Sequence, residues 1–191
     1  SRFKSSWPKL EKKLRKKLVK PTVIGIVGPT ASGKSELALR LARWLRSGQA
    51  KKKYGIKGAE IVSADSRKIY RGMDIGTAKA TRTERGTIPH HLVDIKNPDE
   101  EYTVAEYKRD AVRAIRKIIA RGKLPIMVGG TGLYVNTVVH NLKIPKVEAD
   151  PSRGTFWVFF NFRSSTGFAS VGLNDTPNLI SSSCNSFFFI Y

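Results

Sequence analysis

Eight consecutive residues, Gly28-Pro29-Thr30-Ala31-Ser32-Gly33-Lys34-Ser35, carry the strongest chemical signal in this chain. They satisfy the pattern G-x-x-x-x-G-K-[ST], follow the apolar run Val23-Ile24-Gly25-Ile26-Val27 and lead into a helix-patterned segment. In that setting backbone N–H groups, freed by the glycines, converge on phosphate oxygens at a helix N-terminus. Lys34 adds a point charge, and the Ser35 hydroxyl offers a ligand for Mg2+. A plain glycine-rich turn would have no use for Lys34 and Ser35, so the segment reads as a site for a di- or triphosphate.

Three further groups invite chemistry. In open parallel sheets ligands bind beyond the carboxyl ends of the strands. Asp65 and Ser66 follow the apolar run Glu60-Ile61-Val62-Ser63, and Gly130 and Thr131 follow the run from Leu124 to Val128. Both ends are expected to share a crevice with the phosphate loop. Asp65 is a candidate general base or Mg2+ partner, or else a turn cap. Thr131, between glycines that let backbone approach a ligand, is placed to hydrogen-bond a substrate oxygen or amine. His90 and His91 are adjacent, so on extended chain they point opposite ways, which favours structural or RNA-facing roles over a zinc site. Lys79, Arg82 and Arg85 form a basic stretch that either meets a phosphate backbone or is simply solvated.

The elements that must position these groups alternate. A strand over 22–27 feeds the loop, and a helix runs from Lys34 to about Arg46 with Leu37, Leu41, Trp44 and Leu45 on one face. Lys51-Lys52-Lys53-Tyr54-Gly55 is expected to be a basic loop, and 71–89 a polar irregular stretch. Thr103-Val104-Ala105-Glu106 is a capping box that opens a helix, with Tyr107, Ala111, Ile115 and Ile118 buried and Gly122 at its close. The run from Leu124 to Val128 is continuous and apolar, as in a parallel strand covered on both faces. The fold class is α/β: a P-loop NTPase-like parallel sheet flanked by helices over residues 21–140.

Charge bounds the partners. The chain has 191 residues, 35 Lys+Arg against 15 Asp+Glu and a net charge of +20. That balance favours a polyanion, most simply nucleic acid. Residues 1–20 place Leu10, Leu14 and Leu18 at i, i+4, i+8 among lysines and arginines, the pattern of a short basic amphipathic helix. It has no apolar core of a secretory signal, and no run in the chain is long enough to span a bilayer. The single Cys184 excludes an intramolecular disulfide framework and fits a reducing, cytoplasmic location. Because the first residue is Ser, the natural start is expected to lie upstream.

Composition breaks near residue 154. Residues 155–191 hold only Arg163 and Asp175 as charges, yet eight of the nine phenylalanines. They lack both the charge of a linker and helical or strand periodicity. This atypical tail is expected either to come from a non-native reading frame or to form a β-hairpin extension.

Taken together, Gly28–Ser35, Ser63-Ala64-Asp65-Ser66-Arg67-Lys68-Ile69-Tyr70-Arg71-Gly72-Met73-Asp74-Ile75-Gly76-Thr77-Ala78-Lys79, Pro89-His90-His91-Leu92-Val93-Asp94 and Gly129-Gly130-Thr131-Gly132-Leu133-Tyr134 resemble the tRNA dimethylallyltransferases. The resemblance covers about residues 21–153. It implies an enzyme that uses dimethylallyl diphosphate and Mg2+ to prenylate N6 of the adenosine 3′ of the anticodon, in tRNAs reading codons that begin with U. Residues 28–35 would then bind the diphosphate in what such families describe as a nucleotide- or ATP-binding loop, with Ser35 on the metal. Asp65 would take the N6 proton and Thr131 contact the substrate. Asp65, Ser66, Arg67, Lys68 and Thr131 would meet tRNA, and the protein would act as a monomer. Position 68 is Lys where the family usually has Gln, which turns an amide contact into a cationic one. Residues 141–154 resemble the start of a helical tRNA-binding insertion, after which the match stops. The chain is therefore expected to be truncated and weakly active or inactive alone. The alternatives are a prenyltransferase acting on AMP or ATP, a P-loop kinase or ATPase, and a non-catalytic RNA-binding fragment.

Overall fold

The computed structural model describes residues 22–74, 79–142, 144, 170–172 and 186–190. The basic helix expected over 1–20, nearly all of the insertion start over 141–154 and most of the tail lie outside the described residues.

Four strands run parallel: β1 (Thr22–Val27), β2 (Ala59–Ser63), β3 (His90–His91) and β4 (Leu124–Gly129). Their order is β3-β2-β4-β1. The central strands are mostly apolar, Glu60 of β2 being the charged exception, because helices cover both faces and leave no wet side that would demand alternation. On one face, Ile24, Ile26, Ile61, Ile126 and Val128 pack against Leu37, Leu41 and Leu45 of α1 (Lys34–Leu45). On the other, Val23, Val62 and Met127 meet Tyr107, Ala111, Ile115 and Ile118 of α4 (Val104–Ala120) and Tyr134, Val135 and Val138 of α5 (Gly132–Val139). Fully burying a side chain such as Leu41 or Ile115 contributes about 1.5–3 kcal/mol.

The expected capping box is present: Thr103 accepts from the Glu106 N–H, and the Glu106 carboxylate accepts from the Thr103 N–H at 2.8 Å. The α4 helix ends before Gly122, whose φ of 70° lets the chain turn back.

Several local expectations need correction. Residues 51–54 are not loop but the end of α2 (Gly48–Tyr54), which Gly55 closes at φ 68°. Trp44 is only partly buried and lies beside Tyr54 of this helix, ring centroids 6.5 Å apart. The polar stretch 71–89 contains α3 (Arg82–Thr87), opened by a second capping box in which Thr81 and Glu84 satisfy each other's N–H groups. Strand β3 and helix α5 were not foreseen: β3 is too short for a periodic pattern, and α5 begins directly at the glycines of a turn.

Two further strands extend the sheet past β1. Strand β6 (Ser186–Ile190) pairs parallel with β1, and β5 (Ser170–Gly172) pairs antiparallel with β6.

Candidate active site

Parallel pairing brings the carboxyl ends of β1, β2 and β4 to one edge of the sheet. Strands β1 and β4 are neighbours, yet the helices that leave them cover opposite faces: α1 packs on one and α5 on the other. A crevice must open where adjacent connections diverge, and such crevices bind ligands in doubly wound sheets. The chain comes very close there. A Cβ added to Gly130 would stand 3.3 Å from the Gly28 carbonyl oxygen.

The phosphate loop fills the β1 side of the crevice. Gly33 adopts a left-handed φ of 80° and hands the chain to α1, whose first turn closes through Leu37 N–H to Gly33 O at 3.0 Å. Ala31, also left-handed at φ 63°, holds a conformation costly for a residue with a Cβ. Lys34 folds back so that its ammonium donates to Pro29 O at 2.8 Å, which keeps the charge over the loop. The Ser35 hydroxyl stands in the first turn of α1. Among the described residues no group of three or more His, Cys, Asp or Glu could cage a metal. A divalent ion at the loop would find in the Ser35 hydroxyl an oxygen donor of the kind Mg2+ takes.

On the β2 side, Asp65 directly follows the strand and its Oδ1 accepts from Arg67 N–H at 3.0 Å. This carboxylate therefore does cap a turn, and the cap fixes its direction at the strand end. Ser66 and Thr131 join β2 to β4: Ser66 N–H donates to Thr131 Oγ1 at 3.1 Å, with the two hydroxyls 3.4 Å apart. Thr131 N–H in turn donates to Ala64 O at 3.2 Å. Gly129 makes this possible, since a Cβ there would fall 1.9 Å from Ala64 O. Underneath, the fully buried Tyr107 donates its hydroxyl to Ser63 O at 3.1 Å and stacks on Tyr134, with centroids 3.9 Å apart.

Lys68 leaves the strand end and returns toward the loop, its ammonium 3.5 Å from Ser35 Oγ. Burial lowers its pKa and the Lys34 charge adds to this, while the Asp65 carboxylate works the other way. A cavity of about 240 Å3 opens beside it, with Ser35, Ser63, Lys68, Lys79 and His90 among its polar lining and Leu39, Ile61 and Val128 among its apolar wall.

Sequence reasoning missed what holds the segment around this cavity. Asp94, left-handed at φ 56°, pairs with Lys79 at 2.6 Å and with Arg85, while Arg71 Nε donates to its carbonyl at 3.0 Å. Lys79 also pairs with Asp74 at 3.0 Å, and its side chain is only 3% exposed. Lys79 is thus buried in ion pairs rather than solvated, while Arg85, 30% exposed, shares the Asp94 carboxylate with it. Burial favours neutral Asp94, but Lys79 and Arg85 outweigh it and hold the carboxyl below its ordinary value. The histidines also divide: His91 Nε2 donates to Glu60 at 2.7 Å, while His90 Nδ1 donates to Ile88 O at 2.6 Å. Glu60, 4% exposed inside β2, also receives Arg121 at 2.6 Å and Lys123 at 2.8 Å. The one available signal was a lone glutamate within an apolar strand.

Residues 68–156 match the family model described as IPP transferase. The chain is 50% identical over 129 residues to the tRNA dimethylallyltransferase of Roseiflexus castenholzii, covering 68% of this chain and 38% of that protein. It is 52% identical over 122 residues to tRNA dimethylallyltransferase 1 of Pelobacter propionicus, covering 64% and 36%. Among solved structures, it resembles the full-length tRNA isopentenylpyrophosphate transferase of Bacillus halodurans at 44% identity and TM-score 0.57, covering 70% of this chain and 40% of that one. A eukaryotic dimethylallyltransferase acting on tRNA matches at 30% identity and TM-score 0.56, covering 70% and 31%. The chain spans about two fifths of the length of the curated relatives it matches, at 38% for the first of them. No helix among the described residues is long and apolar enough to cross a membrane.

Proposed function

We propose that this chain, whose N-terminal part belongs to the IPP transferase family, serves to transfer a dimethylallyl group from dimethylallyl diphosphate to N6 of the adenosine 3′-adjacent to the anticodon, in tRNAs that read codons beginning with U. The reading is best supported by the Ser66–Thr131 hydrogen bond, which joins two strand ends beside Asp65 and across from the phosphate loop.

In this reading the loop amides from Gly28 to Ser35 and the Lys34 ammonium hold the donor's diphosphate. The allylic C–O bond breaks, its electrons leave on the diphosphate, and a C–N bond forms to N6. The N6 proton passes to the Asp65 carboxylate. Preorganised N–H groups and a cation aimed where negative charge grows contribute most to such a step. Mg2+ bound at Ser35 would neutralise part of that charge. Ser66, Arg67, Lys68 and Thr131 meet the tRNA, with Thr131 on the acceptor nucleoside. The target base leaves its stack, at a cost of a few kcal/mol that pocket contacts offset. The net charge of +20 serves the phosphate backbone. The enzyme works as a cytoplasmic monomer.

The test offers labelled dimethylallyl diphosphate to the full 191-residue chain, with an anticodon stem-loop, AMP and ATP as competing acceptors. Label on the RNA adenosine, lost in Asp65→Ala without loss of RNA affinity, supports the assignment. Undiminished product from that variant removes Asp65 as the base. Label on AMP would move the chain to nucleotide prenylation, and steady ATP hydrolysis without RNA would favour a kinase or ATPase. Salt-sensitive RNA binding with no transfer, even when the chain is joined to the remaining length of a relative, would favour a binding fragment.

A further inference from the structure

Two ammonium groups serve the cavity wall beside the phosphate loop, and they are differently engaged. Lys79 is spent on Asp74 and Asp94. Lys68 has the Ser35 hydroxyl as its hydrogen-bond partner at 3.5 Å, and among the described residues no carboxylate forms an ion pair with it. The cavity's two acids are engaged elsewhere: Glu84 is bound by the Thr81 N–H and hydroxyl, and Glu36 pairs with Arg40 at 3.2 Å. We propose that Lys68, at the Ser35 hydroxyl, is a second built-in counter-ion for the diphosphate besides Lys34 over the loop, so that this chain grips a diphosphate with little help from a divalent cation.

The inference rests on the reading of residues 28–35 as the diphosphate site. It draws on where Lys68 stands: at the same hydroxyl that would otherwise hold the metal, on the rim of a cavity of about 240 Å3. An ammonium is a compact charge with three donors, so it can bridge oxygens of neighbouring phosphoryl groups, which a neutral amide does only weakly. Lys34 lies over the loop through Pro29 O, and Lys68 reaches the first turn of the helix that the loop opens, so a diphosphate seated on the loop would meet both ammonium groups.

The experiment is calorimetric titration of the full chain with inorganic pyrophosphate, with chelator and then with millimolar Mg2+. The expected result is that Mg2+ changes the native chain's affinity by less than about threefold, while Lys68→Gln binds roughly tenfold more weakly without Mg2+ and recovers with it. Lys68→Arg, which keeps the charge, should behave as the native chain. If native binding requires Mg2+ as steeply as Lys68→Gln does, the proposal is overturned while the loop assignment stands. Arg and Gln variants equally weak without Mg2+ also overturn it. If no pyrophosphate binding is seen that Lys34→Ala abolishes, the loop assignment itself fails and takes the proposal with it.

Discussion

The Ser66 N–H and Thr131 Oγ1 stand 3.1 Å apart although 65 residues separate them in the chain. This one bond makes the ends of β2 and β4 a single surface, and the threonine hydroxyl in turn donates to Ser66 Oγ at 3.4 Å. Thr131→Val keeps the shape but leaves the Ser66 N–H without its acceptor. Stability should fall by only about 0.5–1.5 kcal/mol, while any prenyl transfer falls by at least ~tenfold. Denaturant melts and single-turnover assays separate the two effects. Equal losses in both would reduce Thr131 to a structural tie.

Gly129 is the steric condition for that surface. Its missing Cβ would meet the Ala64 carbonyl oxygen at 1.9 Å, and both partners are backbone within a packed sheet. Gly129→Ala should therefore cost about 3 kcal/mol or more, read as a lowered denaturant midpoint. A variant as stable as the native chain would show that the two strand ends are not locked together.

Asp94 neutralises Lys79, whose side chain is 3% exposed, and also engages Arg85. Removing one partner of a buried pair leaves the other charge stranded, a loss of up to about 3–5 kcal/mol. Asp74, the second partner of Lys79, softens this, so Asp94→Asn is expected to cost roughly 2–3 kcal/mol. The segment between β2 and β3 should open first, seen as faster amide exchange at Arg71 and Ile95, whose N–H groups bond across it. Unchanged exchange there would mean the acid does not clamp the segment.

Glu60 sets an acid limit to stability. Burial works to raise its pKa, but Lys123, His91 and Arg121 together bring it below the ordinary glutamate value of 4.5. A carboxylate with a depressed folded-state pKa stabilises the fold fully above its unfolded-state value and loses that contribution as pH falls through the folded value. The native chain should therefore weaken as pH drops below about 4.5. Glu60→Gln should be less stable near neutrality by about 1–3 kcal/mol, with a flatter acid limb. Melting curves across that range decide it; parallel curves for both proteins would count against the cluster.

What could be read from the residues alone was what the backbone does locally. A phosphate loop that opens a helix at Lys34, a Thr103–Glu106 cap and a buried stripe through Leu37, Leu41 and Leu45 each depend on neighbours within a few positions, so their types and spacing suffice. The same holds for the parallel sheet, since unbroken apolar strands alternating with helices leave few other arrangements. Short elements escaped: β3 has two residues and α2 hid among lysines. Only the folded chain decided who meets whom. Lys68 turned to Ser35, Lys79 was committed to Asp94, and Glu60 gathered His91, Arg121 and Lys123. Such pairings join residues dozens of positions apart through strand order and the closeness Gly129 allows, and no periodicity along a chain encodes contacts made across it.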